Sequence, residues 1–532
     1  MKTRFRWTLF LAMLLSLISQ SPAFSSVIHV PVDKPTIQAG IDAAASGDTV
    51  LVSPGTYFEF IDMKGGVTLR SETGLPNCAT IDGGGLSVVI RFPYLVEPSR
   101  LEGFTIRGGI SGGMYVFDSE VEIRSCIITG NQTATHGGGI YCRNSTLTLI
   151  DCIVSNNSTR RFGGGVCAIG TSNLVMEGCK VVGNTTDTFG GGLHVSCPAI
   201  ISDCTFERNS AGIDGGGVWS VAEQSFDTCT FMGNSAQRDG GGVMVDFYST
   251  SMPSPELTRC AVFGNTTIDG SGGGIACRAQ ARIWECLIVD NMAGKSGGGM
   301  YCIGSEPVEV NHCTIVGNSA VNWGGGIYSY STGFQVTASI IAFSREGEGI
   351  YCYGGGPGVE ISLCDIFGNK GGDQLCGMDR GGNFSADPLF CNVASGNFFL
   401  AQESPCLIGA DPYYFVIGAK GLGDCSLAPV DDSPSIGTFG REFLGQNHPN
   451  PFNPRTLIPI DLKEPGRPHL RIFDLAGRQV KTLLNGDPLA AGRTEVPWDG
   501  RDGSGNRLPS GIYFYHLEVG GFSETKRMLM MK

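Results

Sequence analysis

Residues 152–168 read CIVSNNSTRRFGGGVCA, and the stretch decides the fold because its frame recurs. The frame is a Cys, an Asn five residues later, and a GGG whose last glycine lies eight residues past the Asn. The Cys/Asn pairs are Cys126/Asn131, Cys152/Asn157, Cys179/Asn184, Cys204/Asn209, Cys229/Asn234, Cys260/Asn265, Cys286/Asn291, Cys313/Asn318 and Cys364/Asn369. Ser339/Ser344 keeps the spacing with Ser in both places. The closing glycines are Gly139, Gly165, Gly192, Gly217, Gly242, Gly299 and Gly326, with Gly274 nine residues past its Asn. The unit repeats every 25 to 27 residues, apart from a step of about 32 between Gly240 and Gly272. A fixed period of this size marks a stacked repeat architecture.

Inside each unit the apolar residues alternate, as in Leu147-Thr148-Leu149, which is the pattern of short strands. The second residue after each ladder Cys is Ile, Val or Phe, so the two share a face and should point inward. With 80 glycines in 532 residues, long helices are disfavoured and left-handed corners are easy to make. Three short strands and three turns per unit describe one coil of a parallel β-helix, with roughly 12 or 13 coils spanning about 60 Å. At fixed phase the Asn residues should form a ladder of amides bonded from coil to coil, rather than serve merely as common turn residues.

Residues 1–25 read as a secretory signal peptide: Lys2, Arg4 and Arg6, a short apolar core over 9–18, then Ala23 and Ser25. Residues 27–60 read as a strand, a short helix and the first coil, with the helix over the open end of the solenoid. Residues 27–425 form the solenoid and 372–425 its closing coils, while 426–446, carrying Pro429, Asp431, Asp432 and Pro434, read as a linker. All 20 Cys lie between Cys78 and Cys425, so 447–532 is a different domain. Strands expected at 457–462, 470–473, 480–484, 493–497, 512–519 and 522–530 make it a small β-sandwich. No other stretch offers 18 consecutive apolar residues, so no transmembrane segment is expected after the signal peptide. A net charge of −13 argues against nucleic acid as a partner.

Two resemblances add to this reading. The entry segment TIQAGIDAA…GDTVLVSPGTY resembles the amino-terminal cap of right-handed β-helix proteins of the pectin lyase-like superfamily. The repeats, with Gly-Gly-Gly-apolar-Tyr, resemble those of bacterial polymorphic outer-membrane proteins, and DPLFCNVASGNFFLAQESPC resembles a last coil of such chains. The fold implied is all-β, a right-handed parallel β-helix followed by an immunoglobulin-like sandwich. The tail, with Pro449 to Pro454, Asp474, Gly477 and Arg478, Trp498-Asp499-Gly500 and Gly511-Ile512-Tyr513, resembles the sorting domains of type IX secretion and the immunoglobulin-like module of hook-capping proteins. That resemblance implies secretion machinery as a partner and the outside or outer membrane of a Gram-negative-type bacterium as the location.

For chemistry, Asp214 and Asp239 stand immediately before a GGG, with Asp187 and Asp269 near that phase, Asp246 further along and Arg238 beside them. They are the candidates for paired carboxylates, but Asp before Gly is also what a turn selects. The second residue after each GGG (Tyr141, Cys167, His194, Trp219, Met244, Ala276, Tyr301, Tyr328, Tyr351) should point outward, as a sugar-stacking row or as cross-coil packing. His194 has no second His at ligand spacing, and Asp502-Gly503-Ser504-Gly505-Asn506 reads as a tight turn; no metal and no cofactor is expected. The ladder Cys should be free and buried, whereas Cys376, Cys391, Cys406 and Cys425 are the candidates to pair.

The resulting expectation is a monomeric, secreted or surface-displayed, non-enzymatic adhesin or glycan-binding protein. The alternative is a polysaccharide lyase or glycoside hydrolase on the same solenoid. The expected ligand seat is the wall beside the long repeat step, with His194 nearby, Trp219 as platform and Tyr248 as lip.

Overall fold

The computed structural model describes residues 25–408 apart from 222, 247–253, 305–306, 332 and 356–357, then 415–425 apart from 424. From 443 onward it describes all but 445–446, 448–451, 453, 463–464, 475–477, 491, 510, 520–521 and 531–532. The expected signal peptide lies outside these residues except for Ser25, as does nearly all of the expected linker. The chain falls into two compact units, Met1–Pro434 and Ser435–Lys532.

The first unit is a parallel β-solenoid of about 13 turns. One coil illustrates the plan: strand Glu120–Arg124, a corner, Ile127–Thr129, a second corner, the two-residue strand Gln132–Thr133, a third corner through the glycines, and Ile140–Arg143. Stacking these strands gives, among the described residues, sheets of 15, 13, 8 and 12 strands, called here the first to the fourth in that order. Register is strict from coil to coil: Leu147 faces Val121 on one side and Leu174 on the other.

The corners explain the repeat frame. The residue before each ladder Cys is left-handed, from Ser125 (φ 47) through Thr228 (φ 55) to Leu363 (φ 53). So is the residue before each Asn, including Asn156 (φ 53) and Arg208 (φ 51), and so is the first glycine of each GGG. The later glycines are required by close approach: a Cβ on Gly138 would lie 2.5 Å from the Gly164 carbonyl oxygen, and one on Gly139 would lie 2.9 Å from Asn157 Nδ2.

Eight of the nine frame Asn bond from coil to coil in an unbroken run, from Asn131 through Asn157, Asn184, Asn209, Asn234, Asn265 and Asn291 to Asn318. Asn209 donates from Nδ2 to Asn234 Oδ1 (3.0 Å) and to the Val181 carbonyl (2.8 Å), while its own Oδ1 accepts from Asn184 N (2.9 Å) and Nδ2 (3.0 Å). The run survives the long repeat step, because Asn234 donates to Asn265 Oδ1 at 2.9 Å even though 31 residues separate them. Asn265 in turn donates to Asn291 Oδ1 (2.9 Å) and to Phe231 O (2.9 Å), and Asn291 to Asn318 Oδ1 (3.0 Å) and Val262 O (2.9 Å). All eight are buried.

Asn369, expected in the same ladder, stands apart from it. Ser344 occupies the intervening coil, and its side chain carries no amide to pass the bond on. Asn369 Oδ1 instead accepts the Ser344 backbone amide (3.0 Å), and its Nδ2 donates to Ile341 O (2.9 Å) and Asp373 Oδ1 (2.8 Å). It is a buried corner residue with a carboxylate partner rather than a ninth rung.

The ladder Cys are also buried; Cys152 donates to the carbonyl two residues before it, Ile150 O (3.3 Å), and to Ile123 O (3.4 Å) on the preceding coil. Burial pushes the Cys126 thiol up to about 12.

The N-terminal helix α1 (Ile37–Ala43) starts at Thr36, whose side chain accepts the Ala39 amide, and buries Ile37 and Ile41 in the solenoid interior. At the other end the expected closing coils take another form. Met378–Gly381 continues the first sheet and Phe384 bridges Asp365 of the second, but the chain then runs back over earlier coils of the second sheet. Gly418 N donates to Ala338 O (2.8 Å) and Ala419 N to Thr314 Oγ1 (2.9 Å), so this strap crosses earlier coils. It buries residues that would otherwise face water, among them Thr314, Ile340 and Asp365. The disulfides of this end of the unit are Cys352–Cys376, which precedes the strap and pairs Cys376 with a Cys outside the expected candidates, and Cys391–Cys425. Cys406 is free, contrary to its expected pairing: it is a buried residue of the strap itself, and its thiol donates to Asp365 Oδ2 (3.3 Å).

The second unit is a two-sheet sandwich: Phe443–Leu444, Thr456–Leu462 and Gly492–Trp498 in one sheet, and Gln479–Asn485, His469–Asp474, Gly511–Val519 and Phe522–Met530 in the other. Trp498, Tyr515, Phe452 and Ile472 fill its core. Asp502 accepts the Ser504 (2.9 Å) and Asn506 (2.8 Å) amides, which makes 502–506 a self-closed turn. Among the described residues no helix is long and apolar enough to cross a membrane.

Candidate functional site

The outer face of the fourth sheet carries the candidate site, and two columns of residues build it. One is the residue before each GGG: His136, Phe162, Phe189, Asp214, Asp239, Ser271, Ser296 and Trp323. The other is the second residue after it, from Tyr141 to Tyr351. Strand alternation points the second column outward, as expected, but it is not an open row. Cys167, Met244 and Ala276 are fully covered, and His194 is 3% exposed.

The cause is stacking between the columns. Phe162 lies 4.6 Å from His194 at an interplanar angle of 7°, and His194 lies 4.4 Å from Trp219 at 22°. Phe189 closes on Trp219 at 5.3 Å, and His136 bridges Tyr141 and Phe162. The rings turn their faces to each other rather than to solvent. Burial, with some help from His136, lowers the His194 pKa to about 3, so the ring is neutral. His194 Nδ1 and Trp219 Nε1 are buried without a hydrogen-bond partner. The expected seat on His194 and Trp219 therefore has no free ring face on the stacked side, and Tyr248 lies outside the described residues.

Where the aromatic column stops, ions replace it. Asp214 is fully buried and receives Arg238 twice, Nε at 2.9 Å and Nη2 at 2.6 Å, while its Oδ1 also accepts the Asp239 amide at 2.9 Å. Arg278 Nη1 lies 3.3 Å from both Asp214 and Asp246, and its Nη2 donates to Asp239. Burial opposes the Arg278 charge, but the carboxylates of Asp214, Asp239 and Asp246 outweigh it and raise the pKa further. The hydrogen bond to Asp214 does the same for Arg238. Asp187 and Asp269 remain exposed outside this network, with Asp269 accepting from Gln237 Nε2. Among the described residues no cluster of His, Cys, Asp or Glu is arranged to hold a metal ion.

Sequence reasoning found Asp214, Asp239 and Asp246 but missed Arg278. The available signal was phase: Val245 faces Cys277, so Asp246 and Arg278 occupy the same place on adjacent coils. It also passed over Trp323, which stands before its GGG as His136, Phe162 and Phe189 do.

The family model of the right-handed β-helix region matches residues 98–254 and 217–385. Together these matches span more than half of the 532 residues, and the chain belongs to the right-handed β-helix family. The FlgD Ig-like domain model matches residues 460–520, and the second unit is such a domain. No curated protein matches the chain.

Among solved structures, dimeric latent PorU from Porphyromonas gingivalis is 21% identical over 17% of this chain and 9% of its own, with a TM-score of 0.15. The chain thus spans about a tenth of that protein. A PL6-family alginate lyase mutant is 12% identical over 69% of this chain and 54% of its own, with a TM-score of 0.36. The tailspike protein gp49 of the Acinetobacter baumannii bacteriophage Fri1, a capsular polysaccharide depolymerase, is 10% identical over 95% and 77%, with a TM-score of 0.30. These likenesses carry no inference about activity.

Proposed function

We propose that this protein is a secreted or surface-displayed bacterial β-helix that binds a glycan without cleaving it. One observation carries the reading: Asp214, Asp239 and Asp246, which sequence singled out for acid–base work, are all bound to Arg238 or Arg278. A general acid or base must exchange a proton with substrate at working pH. Here the carboxylate oxygens are engaged by guanidinium groups rather than left open to a substrate, and an arginine facing three carboxylates stays protonated. The network reads as a plug that replaces the missing rings of the aromatic column.

A second reading, a polysaccharide lyase or hydrolase, is favoured by the convergence of these three carboxylates from two adjacent coils. The two readings separate in one experiment. The purified chain is incubated with immobilised and soluble neutral and acidic glycans, and both retention and fragment release are scored. Retention without fragments supports the binder. Fragments that disappear in Asp239→Asn support the enzyme.

The Ig-like unit is proposed to be the export and sorting module, supported by the resemblance of Trp498-Asp499-Gly500 and Gly511-Ile512-Tyr513 to such tails. Deleting 447–532 in the native host should leave a folded solenoid inside the cell envelope; normal appearance outside the cell would overturn the assignment.

A further inference from the structure

Resting on the glycan-binding reading, we propose that the ligand seat is the edge where the aromatic column restarts, with Trp323 as platform and Tyr330 and Tyr353 beside it, and that it takes an uncharged glycan.

Trp323 differs from Trp219 in what surrounds it. Trp219 is packed on His194 and Phe189. Trp323 has one ring contact among the described residues, Tyr351 at 5.8 Å and 22°. Its bridge partner on the preceding coil is Ser296, too short to cover an indole. The following coil cuts the corner: five residues separate Ser344 from Gly349, whereas eight separate Asn318 from Gly326. Among the described residues no further ring continues the column beyond Trp323, which is left 45% exposed.

Two residues further along from Tyr328 and Tyr351 stand Tyr330 (56% exposed) and Tyr353 (53%), with ring centroids 5.0 Å apart and tilted 59°. Between these rings and Trp323 along the same outer face, Tyr301, Tyr328 and Tyr351 stack at 5.2 and 5.6 Å, and Tyr351 ties that stack to Trp323. Exposed rings beside such a stack, with phenol hydroxyls at their rims, match the alternating apolar faces and hydroxyl edges of pyranose rings. A mobile aromatic patch would lose more order on binding.

Charge selects the class. Glu348 lies against the platform, its carboxylate accepting the Gly324 amide at 2.9 Å, and the nearby Arg345 is bound to Asp290 at 2.7 Å. With a carboxylate at the seat, that guanidinium engaged elsewhere and a net charge of −13, a polyuronate is repelled. A neutral sugar chain meets no such penalty.

The test is titration of the full chain with neutral gluco-, manno- and xylo-oligosaccharides, with polygalacturonate as the acidic comparator. Three variants accompany it: Trp323→Ala, Tyr353→Ala, and Trp284→Ala as an exposed tryptophan on the first sheet. Thermal melts confirm that each variant is folded. We expect a neutral oligosaccharide to bind the parent chain and to weaken about tenfold in Trp323→Ala, the loss of one stacking contact, with a smaller loss in Tyr353→Ala. Trp284→Ala should match the parent. Unchanged binding in Trp323→Ala overturns the placement while leaving the glycan reading intact. Preference for polygalacturonate overturns the ligand class. Binding of no glycan by the parent overturns both the placement and the reading beneath it.

Discussion

Arg278 Nη1 lies 3.3 Å from Asp214 Oδ2, although 64 residues separate them in the chain. The contact joins coils that are not neighbours, and the same guanidinium also holds Asp239 and Asp246. Arg278→Met should therefore lower stability by about 2–4 kcal/mol, because it strips a buried carboxylate of one partner. The double variant Asp214→Asn/Arg278→Met should lose less than the two singles together. Urea unfolding of the four proteins checks this; additive losses would show that the pair is uncoupled.

Asn209→Ala removes four hydrogen bonds from the middle of the ladder. It should destabilise the solenoid by about 1–3 kcal/mol, the range for buried groups left unpaired. Chemical denaturation is the measurement, and a midpoint equal to the parent's would refute the ladder's role.

Thr228 is β-branched and yet sits at φ 55, in a corner that Gly178 occupies elsewhere. Thr228→Gly should raise stability by up to about 1 kcal/mol, since relief of left-handed strain exceeds glycine's entropic cost. A higher melting temperature is the expected readout.

Asp365 is buried under the strap, and burial raises its carboxyl from an ordinary 3.8 to about 6. The folded state then keeps a proton that the unfolded state gives up. Its contribution is fully present below the unfolded value and is lost as pH rises through about 6. Asp365→Asn should flatten that loss in stability between about pH 4 and 6. His194 acts in the opposite sense: its lowered pKa, about 3, makes stability fall as pH drops below its unfolded value of 6.5, and His194→Phe should remove that acid sensitivity. Melting temperatures across this pH range check both.

Fifteen of the sixteen free Cys are buried, with Cys78 the exception. A maleimide or iodoacetamide reagent should label about one thiol in the native protein and sixteen after denaturation, because buried thiols resist ionisation. Mass spectrometry of the labelled chain counts them.

The solenoid was legible because Cys126, Asn131 and Gly139 repeat in one phase, and phase is what stacking converts into contact. Asn265 and Asn291 were placed by phase alone, whereas Asn369 kept the phase and lost the rung, because a single Ser344 interrupts the amides before it. The Ig-like strands were legible to within a residue or so because polar and apolar residues alternate there. The strap was not: residues 384–423 carry no period, and their place depends on Ala338 and Thr314, which lie far away in sequence. The site was half legible. Strand alternation showed that His194 and Trp219 point outward, but only cross-coil distances reveal that their ring faces are occupied, and that Trp323 stands clear because a later corner is short.

The Asn ladder has a direction. Each coil gives its Asn amide forward and receives one from behind, as Asn131 gives to Asn157 and Asn157 to Asn184. Such a unit needs the same two ends whether it is copied twice or twenty times: here Asn131 Oδ1 accepts the Gly109 amide and Asn318 Nδ2 donates to Ile288 O. Recombination between neighbouring repeats in the gene could add or remove a whole coil without changing any junction. Solenoid length is then a heritable variable, free to drift while every local bond stays the same.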